Sequence, residues 1–126
     1  MFATSPAYSG FSVDDLDAAE KFYGVTLGLT VSRTDSGFLN IHLGSGATVL
    51  AYPKQGHTPA AFTILDFPVD DIEAAVDELN RRGVTTKIYT DDEIATDEKG
   101  IMRGHGPDIA WFTDPAKNVL AVLRPE

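Results

Sequence analysis

Few side chains in this sequence have the chemistry to act as acid, base, nucleophile or ligand. Its imidazoles are His42, His57 and His105, and the lack of cysteine removes disulfides, thiolate metal ligands and a thiol nucleophile. His42 sits in Phe38 to Leu43, a run with the alternation of a strand. An imidazole there serves either as a general base or ligand-orienting group, or simply as a hydrogen-bonded surface side chain. His57 and His105 stand in Gly- and Pro-containing segments, from which a ring either approaches the mouth of a cavity or, in the ordinary case, faces solvent. Asp66 interrupts the apolar set Phe62, Ile64, Leu65 and Phe67, and a carboxylate there is costly to bury unless it meets a cation. A ligand ammonium meets that need, and so does a lysine, an arginine or solvent at a sheet edge. Asp14, Asp15, Asp70 and Asp71 look like paired catalytic carboxylates, but their place at the start of two helices is explained by capping and by the helix dipole. The sequence carries no phosphate-cradling glycine loop, nucleophile elbow or zinc-binding helix motif, and Gly104-His105-Gly106-Pro107 lacks the strand-to-helix setting such a loop requires.

The elements that must position these residues are set by a duplication. Val13-Asp14-Asp15-Leu16-Asp17-Ala18-Ala19 recurs as Val69-Asp70-Asp71-Ile72-Glu73-Ala74-Ala75, with five identities and two conservative exchanges. In the first copy, Tyr8 to Val13 reads as a strand and a helix follows with Asp14 as N-cap and Leu16, Ala19, Phe22 and Tyr23 as its apolar stripe. Leu29 to Thr34, Phe38 to Leu43 and Thr48 to Tyr52 complete a βαβββ unit. The second copy restarts with a strand from Phe62 to Val69 and a helix from Asp71 to Arg82 closed by Gly83. Val84 to Tyr89, Ile109 to Thr113 and Val119 to Leu123 supply its last three strands. Between them, Thr90 to Pro107 is a long insertion, acidic at Asp91-Asp92-Glu93 and Asp97-Glu98, of the kind that forms either a binding loop or a solvated excursion. The expected fold class is α+β, one domain over residues 1–126 made of two modules, about 5–55 and 60–125.

Charge narrows the partners. Ten Lys and Arg against nineteen Asp and Glu give a net charge of -9, which repels a phosphate backbone and argues against nucleic-acid binding. The same acidity favours cationic ligands, though in most acidic proteins it serves solubility alone. No segment approaches the roughly 20 apolar residues of a membrane span, and the first residues lack a basic stretch followed by an apolar run, so the expectation is a cytoplasmic protein.

Three motifs in this order, Val13-Asp14-Asp15-Leu16 through Leu27-Gly28-Leu29, the repeated Val69-Asp70-Asp71-Ile72, and Trp111-Phe112-Thr113-Asp114-Pro115-Ala116-Lys117-Asn118, resemble the vicinal oxygen chelate superfamily of glyoxalase I, bleomycin-resistance proteins and extradiol dioxygenases. The resemblance implies paired βαβββ modules whose mixed sheet curls around a cup with the helices outside, commonly completed by homodimerisation. It is specific for a fold and not for a reaction. Asp114-Pro115-Ala116-Lys117-Asn118 departs from the usual Asp-Pro-Asp-Gly-Asn turn. In metal-using members, histidines begin the first strand of each module and glutamates lie on the last. Those positions fall here on Tyr8, Ile64, Ala51 and Ala121, of which the last three cannot bind a metal and tyrosine rarely does. The resemblance therefore implies a member without the family metal and without another cofactor.

Strand parity selects what faces the cup. Packing Phe11 and Val13 on the helix sends Tyr8, Gly10 and Ser12 inward, and packing Leu39, Ile41 and Leu43 there sends Phe38, Asn40 and His42 inward. By the same logic the second module offers Ile64, Asp66, Ala110 and Phe112, while Trp111 either stacks on a ligand or, as its shared parity with Ile109 favours, fills the core. Tyr8, Phe38, His42, Ile64, Asp66 and Phe112 are the expected ligand-binding residues, an apolar and aromatic lining with a few polar anchors. The expected function is metal-independent binding of a small molecule, a cationic or polar aromatic compound such as an antibiotic, by a homodimer. The alternative is a lyase, isomerase or hydrolase of the same fold acting on a small carbonyl compound through His42 or Asp66.

Overall fold

A helix-start aspartate opens each copy of the repeat, and the second aspartate of each pair is the cap. The computed structural model describes residues 1–89 and 95–126, in two compact units, Met1–Thr58 and Pro59–Glu126. In the first, strand β1 (Ser9–Val13) runs into Asp15, whose carboxylate accepts from the Ala18 amide at 3.1 Å and starts helix α1 (Leu16–Lys21). Asp71 does the same for Ala74 at 3.1 Å and starts α2 (Ile72–Arg81). Asp14, the cap expected from the sequence, is one residue too early: Asp15 has the extended backbone an N-cap needs.

Helix α1 passes directly into a π-helical turn, Phe22–Thr26, in which the Leu27 amide donates to the Phe22 carbonyl. The widened turn buries Phe22 and Tyr23 together, edge to face at 5.1 Å, and Phe11 of β1 packs on the Tyr23 ring at 5.8 Å. A Cβ at Gly24 would lie 2.9 Å from Val31, so only glycine lets this turn approach the next strand so closely. Strands β2 (Thr30–Arg33), β3 (Leu39–His42) and β4 (Thr48–Pro53) follow, and the sheet order is β1-β4-β3-β2 with β1 parallel to β4 and the other pairs antiparallel.

The second unit repeats the arrangement as β5-β8-β7-β6. β5 (Thr63–Pro68) runs parallel to β8 (Val119–Arg124), which is antiparallel to β7 (Asp108–Thr113). Gly83, at φ 85°, closes α2 by donating to the Asn80 carbonyl. The sequence places the edge strand at Val84 to Tyr89, but the edge is split instead. The Lys87 amide donates to the Trp111 carbonyl, whereas the strand that pairs with Ala110 and Ile109 is β6, Ile101–Met102, from the expected insertion. Gly100 makes the return possible: at φ 84° its missing side chain would stand 2.8 Å from the Lys87 carbonyl oxygen. The described part of the insertion is thus built into the sheet edge, while the acidic run Asp91-Asp92-Glu93 lies outside the described residues. Lys99 fastens this segment to α2 through Asp77 at 3.1 Å and Glu73 at 3.5 Å, and Asp77 first, then Glu73, raise the lysine's pKa.

Each sheet buries one face. In the first unit Phe11, Leu39, Ile41, Val49 and Ala51 share the face toward α1 and its π turn, since Ala51 pairs with both Phe11 and Leu39 and Ile41 pairs with Val49. In the second unit Ala110, Phe112, Leu120 and Val122 form the buried face, together with Ile72, Val76 and Leu79 of α2. The departing turn after β7 keeps its geometry. Asp114 accepts from the amides of Ala116 and Asn118 at 2.9 Å each, and Lys117 adopts φ 69°, the left-handed conformation for which the family pattern supplies glycine. The fold class is α+β, two βαβββ modules in tandem, as the repeat implies.

Two outcomes follow for equilibrium denaturation. Asp15→Ala lowers stability by about 1 kcal/mol while Asp14→Ala stays within about 0.5 kcal/mol of the parent. Lys117→Gly raises stability by about 1 kcal/mol, because the left-handed backbone no longer carries a Cβ.

Candidate functional site

The faces not covered by a helix carry the side chains with chemical capability. On the first sheet this open face holds Gly10 and Ser12 of β1, Thr48, Leu50 and Tyr52 of β4, Asn40 and His42 of β3, and Ser32 of β2, as the register Ser12↔Tyr52, Asn40↔Leu50 and His42↔Thr48 requires. Phe38 joins them from just before β3, its ring 6.3 Å from that of Tyr52. Phe38 and His42 thus share a face, as parity implies. Tyr8 lies before β1 and is 70% exposed.

His42 is exposed and set among hydroxyls, with Nε2 at 3.1 Å from Ser32 Oγ and Nδ1 at 3.4 Å from Thr48 Oγ1. A second imidazole arrives from the turn after β4. The Lys54 amide donates to the Val13 carbonyl and the His57 amide to the Lys54 carbonyl, which folds the chain back and sets His57 Nδ1 2.6 Å from Ser12 Oγ. Of the two places the sequence allows, it favours solvent for His57; the ring is instead half-buried against Ser12. The signal for it was Gly56, whose φ of 74° makes the tight return.

On the second sheet, the alternation of β5 breaks at one residue while Asp66 keeps its expected open face, and on β7 the expected faces exchange. Thr63 pairs with Val119 but Leu65 pairs with Leu120, so Ile64 is the extra residue of a β-bulge. Beyond it, Asp66 pairs with Ala121, and Ala121 pairs with Trp111, which sets these three in one row on the open face. Phe112 is 1% exposed and lies on the opposite, buried face with Ala110, so the inward position expected for both is corrected, as is the core position expected for Trp111. The core holds Phe112, and the indole lies outside it.

The indole has a specific pose. Trp111 Nε1 donates to Thr63 Oγ1 at 3.1 Å, and since β8 lies between β7 and β5, the ring must cross β8 to reach it. The crossing passes over Ala121, which is 0% exposed, because a methyl group is short enough to fit beneath. Tyr89 meets the same indole edge-on at 5.6 Å, with Lys87 Nζ 5.7 Å from the Tyr89 ring. Asp66 is exposed and stands on the other side of Ala121, about 10 Å from Trp111 by two strand spacings.

The same pairing shows which residues stand at the last-strand metal positions of the family. Gly10 and Asp66 each precede their helix-start aspartate by four residues, and they pair with Leu50 and Ala121 respectively. The counterpart of Ala121 is therefore Leu50, not Ala51, which faces the helix. Neither leucine nor alanine has a donor atom. Among the described residues no group of three His, Cys, Asp or Glu side chains converges as a metal would require. The residues present do not fit the family metal.

Solved structures share this architecture at low sequence identity. An antibiotic-binding protein, TnmS3, from Streptomyces sp. CB03234 matches with 21% identity over 98% of each chain and a TM-score of 0.68. A glyoxalase family protein from Enterococcus faecalis matches with 20% identity over 98% of this chain and 100% of that one, TM-score 0.67. A superfamily member from Sphaerobacter thermophilus DSM 20745 shares 22% identity over 94% and 96% of the two chains, TM-score 0.67. No curated protein matches the chain in sequence. With the superfamily's sequence pattern matching residues 6–122, nearly all of both modules, the chain belongs to the Glyoxalase/Bleomycin resistance protein/Dioxygenase superfamily.

Proposed function

We propose that this chain binds a small molecule without a metal, sequestering a cationic or polar aromatic compound such as an antibiotic, and that it does so as a homodimer. The observation that carries the reading is the Trp111 indole laid over Ala121, with the Asp66 carboxylate in the same row. An indole face pinned by its own N–H is a stacking surface held in one orientation, and a carboxylate beside it adds attraction for a positive charge. Sequestration asks for complementarity alone and needs no group that acts in a transition state. The missing donors at Leu50 and Ala121 agree with that, and so does the net charge of -9. The antibiotic-binding neighbour supports the reading at the level of fold.

The test uses the single tryptophan, whose fluorescence reports directly on the platform. Titration with cationic aromatic compounds quenches Trp111, and Asp66→Asn weakens the tightest of them about tenfold and flattens its salt dependence. Unchanged affinity and salt dependence in that variant would remove the charge from the proposal. Thr63→Val frees the indole, shifts the emission of the unliganded protein and lowers stability by about 1 kcal/mol. Ala121→Glu restores a carboxylate at the family position but collides with the indole, lowering stability by about 1–3 kcal/mol. Native mass spectra with zinc, nickel or manganese show no stoichiometric ion in either protein, and one ion per chain in the parent would defeat the metal-free reading.

A further inference from the structure

Ser12 and His57 make the shortest hydroxyl–imidazole contact among the described residues, 2.6 Å against 3.1 and 3.4 Å for the two hydroxyls around His42. A serine hydroxyl becomes a competent nucleophile when a neighbouring base takes its proton, and the recognisable arrangement is a base nitrogen within about 2.6–3.2 Å of the oxygen. With the ring proton on Nε2, Nδ1 is the acceptor and the Ser12 O–H donates to it.

The surroundings of the pair suit an acyl substrate. Ser12 and His57 are both half-buried, so the hydroxyl is partly removed from competing water yet open to a small molecule. On the same face of β1, a Cβ at Gly10 would stand 3.3 Å from the Leu50 carbonyl oxygen and 3.9 Å from Tyr52 Cε1, so the glycine lets the Tyr52 ring lie close to β1 beside Ser12. Tyr52, the cross-strand partner of Ser12, and Phe38 behind it form an aromatic wall on the adjoining strands. Ser12 is held by a strand and His57 by the backbone bonds of its turn, so the pair is fixed from both sides.

We propose that Ser12 and His57 form a nucleophile–base pair that accepts the acyl group of activated aryl esters. The Ser12 oxygen attacks the ester carbonyl carbon while its proton passes to His57 Nδ1. The bond from that carbon to the aryl oxygen then breaks, and the phenol departs with the proton from His57. The product is an ester of Ser12, which water hydrolyses with His57 again as base, releasing the carboxylic acid and restoring the hydroxyl. No oxidant, metal or further reactant enters. This activity stands apart from the ligand-binding reading, which rests on the second unit.

The probe is 4-nitrophenyl acetate added to the full chain, read by nitrophenol release and by peptide mapping of the acetyl group. Acetyl found on Ser12 is the expected result. His57→Gln slows its appearance about a hundredfold or more, the size of a lost general base, and Ser36→Ala in the exposed turn before β3 leaves it unchanged. Ser12→Ala abolishes the label while keeping the parent circular dichroism. Absence of acetylation, acetyl confined to a histidine or lysine, or an undiminished rate in His57→Gln would each overturn the proposal. Should Ser12→Ala fail to fold, the acetyl position in the parent protein decides alone.

Discussion

Burial of one face of each four-stranded sheet under a single short helix is the constraint on which the rest of this structure depends. A helix of six residues, α1, is too short to hold itself in water, so its register is set by what it covers. Asp15 fixes where it begins, and the π turn that follows widens it enough to bury both Phe22 and Tyr23 against β1. Once Phe11, Leu39, Ile41, Val49 and Ala51 are committed to that face, the alternation of the strands leaves Ser12, Asn40, His42, Leu50 and Tyr52 no choice but the other. The chemistry of the first unit is thus a by-product of its core.

How much of this was legible follows from the same constraint. The repeated Val-Asp-Asp motif disclosed two βαβββ modules, and in the first of them period-two alternation set Phe38 and His42 on one face with Ser12. In the second, the count held for Asp66, but one bulged residue took Ile64 out of the alternation. Ile64 adds a residue to β5 without adding one to β8, and sequence periodicity has no means of seeing an insertion that pairing alone defines. Trp111 and Phe112 exchanged roles for a further reason. Both are large and apolar, and the choice between them was made by a polar atom, the indole N–H, which needs an acceptor that the core does not supply and Thr63 does. The edge strand was misplaced because Val84 to Tyr89 has the composition of a strand but reaches β7 through the Lys87 amide, while the paired edge strand is Ile101–Met102, brought there past the left-handed Gly100.

Residue 121 ties the pose of the indole to the middle strand of the second sheet. A glutamate there would have to extend from the middle strand into the space that the indole crosses, so a carboxylate ligand and the Trp111–Thr63 bond cannot occupy the sheet together. Alanine leaves that space to the ring, and the bond to Thr63 holds the ring there. Leu50 at the corresponding place of the first sheet removes the second donor independently.

The two open faces differ in kind, and that difference decides what each can do. The first is a field of hydroxyls and imidazoles, Ser12, Ser32, Thr48, His42 and His57, bordered by the Phe38–Tyr52 pair. Such groups donate and accept hydrogen bonds in both directions and suit a polar ligand. The second offers an aromatic plane and a carboxylate, groups that suit stacking and the attraction of a positive charge. The fold is duplicated, and the helix caps are duplicated with it, because both units must solve the same burial problem. Their open faces are released from that problem, so nothing in the packing holds them alike, and they carry different side chains, hydroxyls and imidazoles on one and an indole and a carboxylate on the other.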